Sequence, residues 1–340
     1  MKASTILKGL VLVLLIGVGL GYGVGVGIKS LQFNGWKVLK APGSPHVSYG
    51  ASAYNKNSSY ALMFGGIEVT YNDSGKQQTW SANTWKWDGK KWEQLVLQNS
   101  PIAREKHAMA YDENRDEIVL FGGSSNGNVY NDTWIWTGET WVEKKPEHVP
   151  SIRCCHAMAY DPIRKGVILY GGWNGKQLFY DETWLWDGED WTMLDYFSPY
   201  MSGHTLVQNP QKETIISIQT SHQGTWELTS DGWLDLALPS PPSRSDGRAD
   251  FGDDRIVLFG GGQNLTQLND TWVFQDNTWL QLFLHDRPSA RAGHILFYDQ
   301  VRESFIVFGG SNETGILGDT WELKLPKDIS KIAFPATVTP

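Results

Sequence analysis

From about residue 33 onward, short apolar runs alternate with polar, turn-rich connections, and residues 107–143 show the unit most plainly. His107–Tyr111 reads as one strand and Asp112–Arg115 as the turn after it. Glu117–Phe121 is a second strand, closed by Gly122 and Gly123, where a missing Cβ permits positive φ or close backbone approach. Asn131–Trp136 gives a third strand, with Trp134 and Trp136 on one side by period-two alternation. After the turn Thr137–Thr140, Trp141 opens a fourth. Second strands such as Ala61–Phe64, Val167–Tyr170, Ile256–Phe259 and Phe305–Phe308 are apolar throughout, as expected of strands covered on both faces.

The unit recurs. Thr-Trp stands at Thr84, Thr133, Thr183, Thr225, Thr271 and Thr320, at steps of 49, 50, 42, 46 and 49 residues. A period in that range signals a propeller built from four-stranded blades. The motifs R-x-x-H-A-M-A-Y-D, V-L-F-G-G and N-D-T-W-x-W-x-G-x-x-W resemble kelch repeats of the bacterial or archaeal, galactose-oxidase central-domain type, over roughly residues 33–325. That resemblance implies an all-β propeller and leaves the activity open, because propellers host many unrelated functions. The fourth copy departs from the pattern, with Gln219 and Thr220 where the others have paired glycines.

Five of the Thr-Trp strands are followed by a fourth-strand Trp (Trp92, Trp141, Trp191, Trp233, Trp279), and the sixth, at Trp321, is not. The missing copy is at the other end, at Trp36 in Asn34–Leu39. The expected architecture is a six-bladed kelch-type β-propeller whose N-terminal strand joins the last blade and removes the open sheet edges. Residues 31–326 form this propeller, residues 1–30 precede it as an anchor or signal segment, and 327–340 follow as a tail.

Composition narrows the function classes. A net charge of −8 and a pI near 5.5 argue against a nucleic-acid partner, which needs clustered cations. Gly9–Ile28 is an uncharged run of twenty residues with Lys2 and Lys8 before it and Lys29 after. That length spans a bilayer as a helix, and the basic flank favours a membrane-anchored propeller outside the cytoplasm. Secretion after signal cleavage is the alternative. The two cysteines, Cys154 and Cys155, are adjacent and form no disulfide framework. No cofactor and no metal site is expected: His107, His156, His204 and His294 recur at the start of first strands, too widely spread round a ring for one ion.

In an antiparallel blade, the 2–3 loops and the blade-to-blade connections share one face, and these vary most. Trp80 and Trp173 fall outside the repeat framework, both in 2–3 loops, and exposed Trp suits sugar stacking or a protein hot spot. Tyr71, Tyr130, Phe179 and Tyr180 join them as candidate ligand-binding residues. Arg104, Arg153, Arg244 and Arg291 each stand three residues before the His position. The same four copies carry Asp132, Glu182, Asp270 and Asp319 just before Thr-Trp, while copies 1 and 4 lack both. That joint variation predicts Arg–carboxylate pairs rather than an anion site.

The expected function is a non-catalytic, extracytoplasmic module that binds a protein or a glycan. The alternative is a carbohydrate-active enzyme; six-bladed kelch proteins include sialic acid mutarotases. Copper oxidase chemistry of the galactose-oxidase kind lacks an assignable Tyr/His set here. Asp88 to Trp92 is one residue too short for a sialidase Asp box.

Overall fold

The computed structural model describes residues 33–72, 75–198, 201–218 and 224–336. They hold no α-helix and form antiparallel sheets. Six of these are blade-like, with first strands Ala51–Asn55, Ala108–Asp112, Ala157–Asp161, Thr205–Asn209, Arg248–Gly252 and Ile295–Asp299, here blades 1 to 6. Each first strand packs on that of the next blade, and Ile295–Asp299 packs on Ala51–Asn55, closing the ring.

The apolar second strands lie between neighbours, as their composition requires. Leu62 and Phe64 pack with Ile118, Leu120 and Trp136 of blade 2. Ala61 and Met63, pointing the other way, pack with Ile306 and Phe308 of blade 6. Alternation thus sends each strand's side chains into two different cores.

The N-terminal strand Lys37–Leu39 pairs with Thr320–Leu323 as the outermost strand of blade 6, with Val38 opposite Trp321. Trp36 beside it is fully buried, and its indole donates to Thr271 Oγ1 of blade 5 at 3.0 Å. This bond is general. Trp141 donates to Thr84 (3.0 Å), Trp191 to Thr133 (2.9 Å), Trp233 to Thr183 (2.9 Å) and Trp279 to Thr225 (2.8 Å). The fourth-strand Trp of each of these blades therefore fastens to the Thr-Trp threonine of the blade before. The junction of blades 6 and 1 is the exception: Trp92 Nε1 has no partner, and Thr320 faces Ser44 instead.

A second lock sits on the axis. Tyr49 N donates to Gly293 O, Lys106 N to Tyr49 O, Cys155 N to Lys106 O, Gly203 N to Cys155 O, Asp246 N to Gly203 O and Gly293 N to Asp246 O, at 2.7–3.2 Å. These six bonds form a closed belt with one residue from the connection into each blade. All six residues have positive φ, between 54° and 69°. Two are glycine; Tyr49, Lys106, Cys155 and Asp246 hold a left-handed conformation that is uncommon outside glycine because the belt fixes it.

Below the belt lie His107, His156, His204 and His294, all buried, with no well-aligned hydrogen-bond partner for either ring nitrogen. The rings stand edge-on to Phe64, Phe121, Tyr170 and Phe259 of the preceding second strands. Burial, helped by the charge of Arg104, pushes His107 down to about 3; burial and Arg248 do the same to His204. Burial likewise holds His156 and His294 well below the ordinary value. They are neutral packing groups.

Two regions differ from the sequence expectation. The long connection after Phe64 is a hairpin, Ile67–Asn72 with Gly75–Trp80, and Val47–Ser48 adds a third strand to it. The expected tail after residue 326 contributes Ala333–Pro335 as a fifth strand on the edge of blade 5, paired with Thr278–Leu282. The glycine-lacking connection at Gln219 and Thr220, and the membrane or signal segment at 1–30, lie outside the described residues. No helix among the described residues is long and apolar enough to cross a membrane.

Two outcomes follow from these locks. Deleting residues 1–40 removes Trp36 and the closing strand, and should cost at least about 3 kcal/mol relative to deleting 1–30, the scale of losing a buried Trp. Denaturant titration of both forms checks this; equal stability would refute closure by this strand. The histidines set a pH dependence. Their folded values are depressed, so protons bind on unfolding, and stability is full above the unfolded value of about 6.5 and lost as pH falls toward 3. The slope of stability against pH should approach four protons, roughly 1.4 kcal/mol per pH unit for each ring. Replacing His204 by Leu should remove one of them.

Candidate functional site

The loop-rich face is built around the belt. The extra hairpin of blade 1 ends at Trp80, which is 41% exposed and whose indole reaches Glu105 Oε1 at 3.3 Å, next to belt residue Lys106. Trp173 of blade 3 bridges to Cys154, next to belt residue Cys155. Lys106 and Cys155 are neighbours in the belt, so the two tryptophans occupy adjacent sectors of one face. Trp173 is half-buried and stacks on Phe179 at a 6.3 Å centroid separation; Phe179 itself is 48% exposed, with Leu178 open beside it. Tyr71 lies on the first strand of the hairpin, opposite Lys76.

Tyr180 does not join this surface, and Tyr130 is half-buried against a framework arginine. The Tyr130 ring lies 4.6 Å from the Arg104 guanidinium, and its hydroxyl bonds Ser125. Tyr180 is buried, 4.1 Å from the guanidinium of Arg153, with its hydroxyl donating to Ile152 O. Each ring caps an arginine, so Tyr180 has no face to offer a ligand. The reason lies in spacing: both stand two residues before a pairing acid, a position the framework uses.

The arginines are fully committed. Arg104 meets Asp132 with two parallel bonds of 2.6 and 2.7 Å, Arg244 meets Asp270 at 2.7 and 2.9 Å, and Arg291 meets Asp319 at 2.7 and 2.8 Å. Arg153 reaches Glu182 through one bond of 2.6 Å. All four guanidinium groups are buried, and each also donates to a second-strand glycine carbonyl: Gly122, Gly171, Gly260 or Gly309. The acids serve a third partner, accepting the indole N–H of Trp134, Trp184, Trp272 and Trp321. Burial alone would raise the carboxyls of Asp132 and Asp319, but their arginines hold both below the usual range. Blade 1 has no such arginine, and there Glu68 of the extra hairpin accepts from Trp85 and Asn83.

The cysteines are free, Cys154 buried and Cys155 half-buried. No cluster of three or more His, Cys, Asp or Glu side chains among the described residues is placed to hold a metal ion.

The ion pairs are open to test. Arg104→Met should cost about 3–5 kcal/mol, because it strands a partly buried carboxylate. Adding Asp132→Leu should cost little more, and the wild-type pair should resist salt. Strictly additive losses in a double-mutant cycle would show that the two side chains act separately.

Residues 28–208 match the KLHDC2/KLHL20/DRC7 Kelch-repeats domain family. The F-box/kelch-repeat protein At1g51550 of Arabidopsis thaliana is 30% identical over 123 residues, which is 33% of this chain and 25% of that protein. The chain therefore matches only about a quarter of that relative's length. The solved structure of YjhT superposes with a TM-score of 0.62 at 15% identity, covering 88% of this chain and 100% of its own. A likeness at that identity speaks to the fold alone. The family match runs over more than half of the sequence and through blades whose Arg–acid and Trp–Thr bonds repeat one another, and by it the chain belongs to the Kelch-repeat family.

Proposed function

We propose that the chain is a six-bladed kelch propeller of the bacterial or archaeal, galactose-oxidase central-domain type, acting as a non-catalytic binding module. Its loop face recognises a partner protein, with a glycan as the second ligand class. Residues 1–30 hold it at a membrane with the propeller on the extracytoplasmic side. The observation that carries the binding role is the exposed aromatic surface on this face. Trp80, and Phe179 stacked on Trp173, expose large apolar area beside the belt, where the blade cores do not need it. Large, stiff aromatic side chains of this kind are the usual anchors of protein interfaces. A kelch-repeat domain in the F-box relative is consistent with an interaction role.

The enzyme alternative, a mutarotase-like isomerase, needs acids, bases and arginines free to meet a sugar. The repeat arginines are paired to their acids, and the framework histidines are buried and neutral. Those sets therefore lend the alternative no support.

The test combines Trp80→Ala and Phe179→Ala with a glycan array, a sialic acid mutarotation assay and capture of surface proteins by the wild-type chain. Both substitutions should abolish the captured interaction while changing stability by about 1 kcal/mol or less, as expected of surface positions. Turnover of either sialic acid anomer, or unimpaired capture by both variants, would refute the reading.

A further inference from the structure

Inside the belt the first strands enclose an axial chamber of about 410 Å³. That volume is within the range of small-molecule sites. The residue after each His position faces this chamber: Ala51, Ala108, Ala157, Thr205, Arg248 and Ile295. Five of the six are small or apolar without charge, and blade 5 alone presents a guanidinium. Two residues further along, the same walls are apolar except at Asp250, again from blade 5. Blade 5 has Gly247, as blade 1 has Gly50, where the other four blades carry the buried His.

Arg248 differs from the other core arginines. Its hydrogen bond is to the carbonyl of its own neighbour, Gly247, at 3.2 Å, and it has no ion pair among the described residues. Its charge depresses His107, His204 and His294, from blades 2, 4 and 6, so it lies near the axis. Asp250 makes no ion pair with it; its carboxylate oxygens accept the backbone N–H groups of Phe251 at 2.8 Å and Tyr298 at 2.7 Å. Three other carboxylates line the chamber: Glu113 is paired with Lys56, Asp253 lies 4.0 Å from Arg255, and Asp254 follows it in the turn after the first strand of blade 5.

The ends of the chamber differ as well. The belt spans one end with six backbone bonds. At the other, Lys56 of blade 1 reaches Glu113 of blade 2 and Gln208 of blade 4, at 3.0 Å to the amide, so its ammonium lies across the mouth. A partly exposed lysine pair of this kind is worth about 1 kcal/mol or less, so it admits a ligand by swinging aside.

We propose that this chamber binds a small carboxylate with a compact apolar body, its carboxylate held by the Arg248 fork and its body against the alanine walls of blades 1 to 3. Arg248 is half-buried and lines the chamber without an ion-pair partner, and a planar anion with two parallel N–H···O bonds is the best complement of such a guanidinium. This site is separate from the loop-face aromatics and does not depend on them.

Benzoate is the probe, with benzamide as its neutral isostere. Calorimetric titration of the full chain should show saturable one-to-one binding of benzoate and at least about tenfold weaker binding of benzamide, a difference of about 1.4 kcal/mol. Arg248→Ala should lose benzoate binding by at least the same factor. This variant is expected to fold, since alanine occupies the same position in blades 1, 2 and 3, and its thermal midpoint checks that. Arg248→Gln, which keeps the stem and hydrogen bonding but not the charge, should bind no better than Arg248→Ala. No benzoate binding by the wild type, equal affinity for benzamide, or full affinity in the folded Arg248 variants would each overturn the proposal.

Discussion

Each blade of this chain is apolar on both faces, and that constraint governs everything else in the structure. A second strand such as Ala61–Phe64 sends alternate side chains into two separate cores, so neither core exists until both neighbouring blades are in place. A repeat that cannot bury its faces alone must either stack indefinitely or close. Closure here uses three devices at different radii. The belt of backbone bonds works on the axis, the Arg–acid pairs work between the first and third strands, and the Trp–Thr bonds work between the outer strand of one blade and the third strand of the one before. All are polar, and all satisfy groups that the apolar faces would otherwise bury unpaired.

The repeated sequence is therefore a repeated solution to a polar problem. One acid serves the Arg of its own blade and the indole beside it, so Asp132 accepts from both Arg104 and Trp134. Threonine precedes the Trp because its hydroxyl receives the next blade's indole, as Thr84 does from Trp141. Where the repeat breaks, the same groups are satisfied by substitutes. Glu68 takes the place of the missing acid in blade 1, at the cost of an added hairpin that brings it there. The junction of blades 6 and 1 lacks its Trp–Thr bond and is held by sheet pairing of the N-terminal strand on one side and by packing of Trp92 on Phe308 on the other.

Much of this was legible in the sequence because each feature is stated several times over. Strand positions, the closing role of Trp36 and the four Arg–acid partners all came from comparing copies within one chain. Joint loss of Arg and acid in copies 1 and 4 was the signal for contact. What was not legible has no second copy to compare. The extra hairpin at 67–80 is polar and long, and reads as loop because most of its strand pairing is local. Ala333–Pro335 carries no repeat motif, yet the edge of blade 5 gives its backbone a partner. Tyr180 is buried on Arg153 rather than open to a ligand, and a tyrosine capping an arginine and one facing solvent look alike in one dimension. The belt is invisible for a different reason: it is made of backbone, and any residue able to hold a positive φ satisfies it.

In a repeat of this kind, the framework residues answer to the ring, and what answers to a ligand must be sought among the exceptions. Gly247 and Arg248 are such an exception. Four blades place a neutral histidine at the first of these positions, and every other blade places an uncharged residue at the second. Closure does not call for the change, because Gly260 and Arg244 of the same blade keep the ordinary bond and ion pair. Trp80 is an exception of the opposite sort, an aromatic on a hairpin longer than its counterparts in blades 2, 5 and 6, and left open to solvent where a core residue would be covered. The first places charge where the ring needs none, and the second places apolar area where the ring cannot cover it. Both run against the forces that hold the blades together, and under the proposed readings a ligand would supply the counterpart to each.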